Sequence, residues 1–135
     1  MLAGKLALVT GGGRGIGRAV SETFAKQGAN VVIADLKKKE AESTCSLLPK
    51  DSGQDHNAVQ CDVSGGEFVK QLRDFVLSHY NRAPDVLVNN AGIVMDSLLH
   101  QMSDEQFDWV LSVNLRGTFL MTRDFSESIL FYEIF

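Results

Sequence analysis

Apolar positions along this chain alternate between two kinds of pattern. Leu6 to Val9 and Val31 to Ala34 are continuous apolar runs, as in parallel strands covered by helices on both faces. Between them Ile16, Ala19, Val20, Thr23 and Phe24 recur at helical spacing and predict one stripe packed on the sheet, with Gly28 as the helix stop. A second helix carries Ala41, Cys45 and Leu48 and ends at Pro49, and a polar loop over 51–57 leads to a short, less apolar strand, Ala58 to Cys61, suited to a sheet edge. Ser64-Gly65-Gly66-Glu67 reads as a capping box for a third helix burying Phe68, Leu72, Phe75, Val76 and the boundary residue His79. Pro84-Asp85 opens a fourth strand, Val86 to Val88. After a loop over 93–102 with Met95, Leu98 and Leu99, Ser103-Asp104-Glu105-Gln106 caps a long last helix. On it Phe107, Val110, Leu111, Asn114, Thr118 and Met121 share one face.

Strand and helix in alternation mean an α/β fold with parallel pairing and right-handed crossovers. The expected strand order is 3-2-1-4, the N-terminal part of a doubly wound sheet. The first and fourth strands then lie side by side where the winding reverses, and a ligand binds across such carboxyl ends. The residues Thr10 to Gly17, Asp35, Asp62 and Asn90 to Gly92 all stand at those ends.

The first turn carries the candidate chemistry. Its residues Thr10, Gly11, Gly15 and Gly17 spell Thr-Gly-x-x-x-Gly-x-Gly, and the strict G-x-G-x-x-G spacing is not met, because Ile16, Arg18 and Val20 stand where a last glycine is needed. A strand-to-helix turn of this kind offers free backbone N–H groups and a partial positive charge to a pyrophosphate. Asp35 follows at about the 20-residue offset at which a carboxylate accepts hydrogen bonds from an adenosine ribose, and it repels a 2′-phosphate. Arg14 and Lys37 to Lys39 oppose it, but long Lys side chains swing into water at a solvated helix start. NAD is therefore expected over NADP. On the last helix Asn114 is an amide on an apolar stripe that needs partners, and Gly117 points to close backbone contact.

Together with Asn89-Asn90-Ala91-Gly92, the Thr10 to Gly17 loop resembles the classical short-chain dehydrogenase/reductase family, whose fold is the Rossmann type. The resemblance runs over about 1–122, and Leu99 to Thr122 is similar to the estradiol 17-beta-dehydrogenase 8 and 3-oxoacyl-acyl-carrier-protein reductase branch, whereas 123–135 is a divergent tail. It implies cofactor contacts by Thr10, Gly11, Arg14, Gly15, Ile16, Gly17, Asp35, Leu36, Asp62, Val63, Asn90, Ala91, Gly92 and Val113. Asn114 matches the Asn of a catalytic Asn-Ser-Tyr-Lys set. The Ser, Tyr and Lys are absent: no lysine follows Lys70, and no Tyr-x-x-x-Lys occurs. The resemblance thus implies the cofactor-binding half of an NAD(P)-dependent oxidoreductase for 3-oxoacyl thioesters or 17-hydroxysteroids, inactive as it stands. Two other readings compete: a non-catalytic dinucleotide-binding or subunit-interaction module, and a truncated product without function. The family also implies a homo-oligomer, or a hetero-oligomer with a related reductase subunit.

Composition narrows the partners further. At 135 residues the chain is expected to form one partial domain, and a net charge of -4 without a basic stripe argues against nucleic acid. Cys45 and Cys61 lack metal-ligand spacing and fit free thiols in a reducing compartment. No apolar run has the length of a membrane span, and the first strand leaves no room for a presequence, so an intracellular soluble protein is expected. The resemblance implies the mitochondrial matrix, with the cytoplasm as the alternative. The stretch Ile129 to Phe135 is apolar, β-prone and carries a single charge, which predicts self-association or pairing at the open edge of the fourth strand.

Overall fold

Side chains of a strand point alternately to opposite faces, and here both faces are apolar. The computed structural model describes the backbone of residues 1–132 and the side chains of residues 1–126. Four strands, β1 (Leu6–Thr10), β2 (Asn30–Asp35), β3 (Asn57–Gln60) and β4 (Val86–Val88), pair in parallel in the order β3-β2-β1-β4. The expected topology is the observed one. Leu6, Leu8, Val32 and Ala34 face one layer with Val69, Leu72 and Val76 of helix α3 (Gly66–Tyr80) and Leu120, Met121 and Phe125 of helix α5 (Thr118–Tyr132). Val9, Val31 and Ile33 face the other, against Ala25 of α1 (Gly15–Lys26) and Ala41 of α2 (Lys38–Leu47). The polypeptide reaches α5 through a capped helix, α4 (Asp104–Leu111), and a π-helical turn over Ser112–Gly117.

Several local expectations hold. Ser103 and Gln106 form a reciprocal capping box at the start of α4, with Gln106 N–H donating to Ser103 Oγ at 3.2 Å and Ser103 N–H to Gln106 Oε1 at 2.9 Å. Gly28 follows the last turn of α1, its N–H donating to the Ala25 carbonyl at 2.9 Å. A Cβ on Gly117 would stand 2.7 Å from Val63 Cγ2, so the close contact expected there is with a side chain under the sheet end.

Others are corrected. The fully buried stripe of α1 is Gly17, Ser21 and Ala25, one position on from the stripe that began at Ile16, which is 76% exposed, while Val20 and Phe24 of the expected stripe pack half-buried at its flank. Small residues win that face because the helix lies close upon the β1 end. Ser64 does not cap α3: Gly65 does, without a side-chain bond, and Ser64 Oγ donates instead to Asp62 Oδ1 at 2.6 Å. Phe68 is consequently turned outward, 50% exposed, and Val69 takes the core position. The third strand is Asn57–Gln60, with Cys61 buried just past its end. In α4 no residue is buried, and the face bearing Phe107 and Leu111 is open, because the π turn shifts the buried register to Val113, Gly117, Leu120 and Met121. Ile129 to Tyr132 belong to α5, whereas their side chains and residues 133–135, on which the expected β-prone terminal segment rests, lie outside the described residues.

Two polar ties set the starts of the strands. Asp85 joins β4 to β1: its Oδ2 accepts the Leu6 N–H at 2.7 Å, while its own N–H donates to the Leu6 carbonyl at 2.8 Å. Burial of this carboxyl acts to raise its pKa, but the bonds from Leu6 and Lys5 and the nearby Arg82 outweigh it and hold the group below the usual carboxylate range. His56, which is buried, bridges β2 to the loop before β3. Its Nδ1 accepts from the Val31 N–H at 3.1 Å and its Nε2 meets the Pro49 carbonyl at 2.9 Å. This pairing requires the neutral ring with the proton on Nε2.

Burial pushes the His56 pKa below its ordinary 6.5, against the smaller opposing pull of the Pro49 carbonyl. A histidine depressed in the folded state stabilises the protein fully above the unfolded pKa and loses that contribution as pH falls through the folded value. The melting temperature of the chain is therefore expected to drop as pH is lowered from the neutral range through 6.5 and beyond. His56→Ala leaves the Val31 N–H without its partner and costs about 1–3 kcal/mol at neutral pH, and it flattens this part of the pH profile. Thermal melts of both forms across that range check it; an unchanged slope in the variant refutes the assignment.

Candidate functional site

The carboxyl ends of the four strands converge on one cleft of about 420 Å³. Gly11, Arg14, Gly15 and Ile16 line it from the turn after β1; Asp35, Leu36, Lys37 and Glu40 from the end of β2 and the start of α2; Cys61, Asp62 and Val63 from the end of β3; and Asn90 to Ile93 from the end of β4, with Trp109 and Val113 beyond them. This is the place where the winding reverses, as the strand order requires.

A hydroxyl knots the centre of this site. Thr10 is buried, and its Oγ1 donates to the Val88 carbonyl at 3.2 Å while accepting the N–H groups of Asn90 at 3.0 Å and Ala91 at 3.1 Å. Asn90 replies with its amide, Nδ2 donating to the carbonyls of Thr10 at 3.0 Å and Gly11 at 3.1 Å. Asn89 ties outward, to Thr122 Oγ1 at 3.1 Å. One Asn thus braces the loop from within while its neighbour anchors the strand end to α5.

Around the knot the glycines are required by space. A Cβ on Gly17 would lie 2.2 Å from the Gly11 carbonyl oxygen, and one on Gly11 would lie 3.0 Å from Ala91 Cα. Gly11 and Gly15 also hold positive φ angles of 61° and 55°, conformations that glycine adopts without strain. The turn therefore runs close under the helix start. Arg14 occupies the N-cap of α1 without a side-chain cap bond, and no acid stands in the first turn. The leading N–H groups of α1 consequently lack a side-chain acceptor, which suits an anionic group seated on the turn.

The end of β2 is equally ordered. Asp35 Oδ2 accepts the Gly13 N–H at 2.9 Å and Oδ1 the Lys37 N–H at 3.0 Å, which fixes the carboxylate against the loop with lone pairs left for a ligand. The Gly13 carbonyl is held in turn by Arg18 Nη2 at 2.8 Å and Thr44 Oγ1 at 2.9 Å. Lys38 pairs with Glu42 at 3.7 Å on the solvent side, as expected of a solvated helix start, whereas Lys37 departs from that expectation by lining the cleft, where it pairs with Glu40 at 3.2 Å. Asp62 accepts from Ser64 N–H and Oγ through Oδ1, a local turn that closes the β3 corner. Beside it the Cys61 thiol is pushed up to about 12 by burial, with the Asp62 charge adding to the effect, so it stays protonated and unreactive.

Of the residues named from sequence, Thr10 and Gly17 lie beneath the cleft as its support, and the other twelve cofactor candidates line it. Asn114 is corrected: the amide is exposed rather than buried. Its partners are nevertheless on the protein, for Oδ1 accepts the Ile93 N–H and Nδ2 donates to the Ile93 carbonyl, both at 2.8 Å. This side chain clamps the loop after β4 to the π turn and stands 3.4 Å from the Cβ position of Gly92. Sequence reasoning missed Ile93, Trp109 and Glu40 as cleft residues. For Glu40 the signal was present in its place just after Asp35, in the first turn of the helix that follows β2; Trp109 is brought in by the π turn, which nothing in the sequence pattern announces.

A Gly-rich turn under a helix start, an ordered acid on the neighbouring strand and an Asn knot across the switch point define a Rossmann-type nucleotide cleft. The chain belongs to the short-chain dehydrogenase family, whose model matches residues 5–131. Among curated proteins it is 42% identical over 130 residues to a (3R)-3-hydroxyacyl-CoA dehydrogenase of Mus musculus, covering 92% of this chain and 50% of that one. It is also 40% identical over 116 residues to a 3-oxoacyl-[acyl-carrier-protein] reductase of Chlamydia trachomatis, covering 85% of this chain and 46% of the relative. Among solved structures, a 3-ketoacyl-(acyl-carrier-protein) reductase from Brucella melitensis complexed with NADH superimposes with a TM-score of 0.87 at 38% identity, covering 95% of this chain and 51% of that one. A short-chain dehydrogenase/reductase from Burkholderia phymatum in complex with NAD gives a TM-score of 0.87 at 33% identity, over 94% of this chain and 44% of the other. The chain spans about half the length of these relatives.

Replacing Thr10 by Val keeps the shape and removes the knot, leaving the half-buried Ala91 N–H without its acceptor and the Asn90 N–H with the Val88 carbonyl alone, at 3.1 Å. Thr10→Val is expected to destabilise the chain by about 2–3 kcal/mol, measured by denaturant unfolding at equilibrium. A change within about 0.5 kcal/mol, the scale of an ordinary surface substitution, would show that the strand ends hold together without it.

Proposed function

We propose that this chain is the cofactor-binding half of an NAD-dependent short-chain oxidoreductase acting on 3-oxoacyl or 3-hydroxyacyl thioesters. The observation that carries the reading is the carboxylate of Asp35, held by two backbone N–H groups at the mouth of a cleft whose opposite wall is the Asn90 knot. A dinucleotide fits this donor set: its pyrophosphate on the turn from Gly11 to Ile16 and the open N–H groups of α1, its adenosine ribose on Asp35, its adenine between Leu36, Asp62 and Val63, and the adjoining sugar along Asn90, Ala91, Gly92 and Val113. The nicotinamide of such a cofactor supplies a carbon that accepts or gives a hydride. What this chain contributes is binding and orientation, and Asn114, at the π turn, holds the loop that follows Gly92 in place.

The thioester class draws on those relatives that are a 3-hydroxyacyl-CoA dehydrogenase and 3-oxoacyl-acyl-carrier-protein reductases; the 17-hydroxysteroid reading has no observation of its own in the cleft. Hydride transfer at a carbinol carbon needs an acid/base with a pKa near working pH, and these 135 residues contain no Tyr-x-x-x-Lys to provide it. The chain alone therefore binds cofactor without turning over, and activity belongs to an assembly or a longer protein that supplies the missing groups. Trp109, Leu115 and Phe119, exposed along α4, the π turn and α5, favour an oligomer, of this chain or with a related reductase subunit. No helix among the described residues is long and apolar enough to cross a membrane; the mitochondrial matrix, with the cytoplasm as the alternative, is drawn from the family resemblance.

Calorimetric titration of the chain tests the cofactor. NADH is expected to bind at least about tenfold more tightly than NADPH, the discrimination of roughly 1.4 kcal/mol that one misplaced charge readily gives, and Asp35→Ala is expected to lose that preference. Equal or tighter NADPH binding by the unaltered chain would overturn the assignment. Catalysis has its own test: acetoacetyl thioester with NADH is expected to show no steady turnover, and turnover abolished by Asn114→Ala would place the chemistry within this chain after all.

A further inference from the structure

Glu40 occupies a position that the ribose acid and the glycine turn do not explain. It sits in the first turn of α2, lines the cleft beside Asp35, and receives both nearby cations, Arg14 Nε at 3.8 Å and Lys37 Nζ at 3.2 Å. Arg14 and Lys37 are largely exposed, at 77% and 62% of their side chains, and exposed ion pairs of this kind add little to stability. Their effect is on the charge that a ligand meets. The charged side chains that line the cleft, Arg14, Asp35, Lys37, Glu40 and Asp62, carry a net negative charge, and without Glu40 they balance, with Arg14 and Lys37 free to meet an anion at the β2 end.

The position of Glu40 is also set by packing. A Cβ on Gly13 would stand 2.7 Å from Glu40 Cβ and 2.8 Å from Asp35 Oδ2, so loop and helix are in contact there. Arg18 and Thr44 hold the Gly13 carbonyl from the other side, which joins α1, α2 and the loop into one unit. The Glu40 carboxylate is therefore presented from a fixed backbone, between the two cations that a phosphate at the ribose would recruit.

We propose that Glu40 is a specificity-determining residue of the cleft, which disfavours a 2′-phosphorylated dinucleotide by engaging Arg14 and Lys37. The proposal rests on reading the cleft as a dinucleotide site. It assigns the discrimination to two acids with separate tasks: Asp35 meets the ribose, and Glu40 withholds the cations.

Titration of the full chain with NADH and with NADPH, in parallel for the unaltered protein and for Glu40→Gln, gives the ratio of the two dissociation constants. Removing one like charge and releasing two cations is expected to move that ratio toward NADPH by about tenfold, and the gain should shrink at high salt, since exposed charges are screened. Glu40→Lys is expected to move it further in the same direction, and Arg14→Gln added to Glu40→Gln to return part of it. An unchanged ratio in both Glu40 variants, or equal weakening of both nucleotides, would overturn the role of Glu40 while leaving the dinucleotide site intact. Binding of neither nucleotide by the unaltered chain would instead remove the cleft reading, and this proposal with it.

Discussion

The Thr10 hydroxyl is the constraint on which the arrangement depends. β1 and β4 are remote in sequence and adjacent in space, and a winding reversal between them leaves two strand ends that no continuous connection holds. Three hydrogen bonds to one oxygen, answered by two from the Asn90 amide, close that gap. The closure lets the first glycine turn lie directly against the fourth strand, and it brings α1 down until Gly17 touches the Gly11 carbonyl. The polar groups that would be costly if left open in the sheet interior are spent on each other. The cleft is what remains above them.

The architecture was legible because the strands are apolar on both faces and the helices between them are short. Four strands, their order and the capping box at Ser103 follow from patterns that local chemistry enforces. What was misplaced depended on contacts that a helical wheel does not carry. In α1 the apolar residues Ile16 and Ala19 lost the inward face to Gly17 and Ser21, because nearness to the loop mattered more than hydrophobicity. In α3 the Ser64 hydroxyl donates to Asp62 instead of accepting an N–H of the helix start, the cap falls on Gly65 one residue later, and Phe68 is turned outward. The residues that line the cleft were named from the loop motifs together with the family resemblance, but their division within it was not: Thr10 and Gly17 support, whereas Arg14, Ile16 and Asp35 line the wall. His56 and Glu40 went unnoticed because each acts through backbone and charge partners from other elements.

The cleft is unequal along its length. At the β2 end it is rigid, with carboxylate, loop carbonyl and helix start bonded into a single lattice through Gly13, Arg18 and Thr44. At the β4 end the wall is a loop pinned by Asn114 and capped by exposed residues, Val94, Leu98 and Leu99 among them. On the proposed reading, recognition of a nucleotide falls on preorganised elements, where little ordering has to accompany binding. The end that would face a substrate is built from one amide clamp and open apolar surface.

The π-helical turn over Ser112–Gly117 works as a gear between these two ends. One extra residue per turn advances a helix by about 100° relative to regular winding, so the residues before the turn and those after it address different neighbours. Past it, Leu120, Met121 and Phe125 engage the sheet; before it, Trp109 reaches the cleft wall. A chain shortened by a single residue within 112–117 would keep its helix, its caps and its core, yet it would swing the whole of α4 around its axis and carry Trp109 off the wall. Length, rather than composition, is what this segment transmits from the core to the cleft.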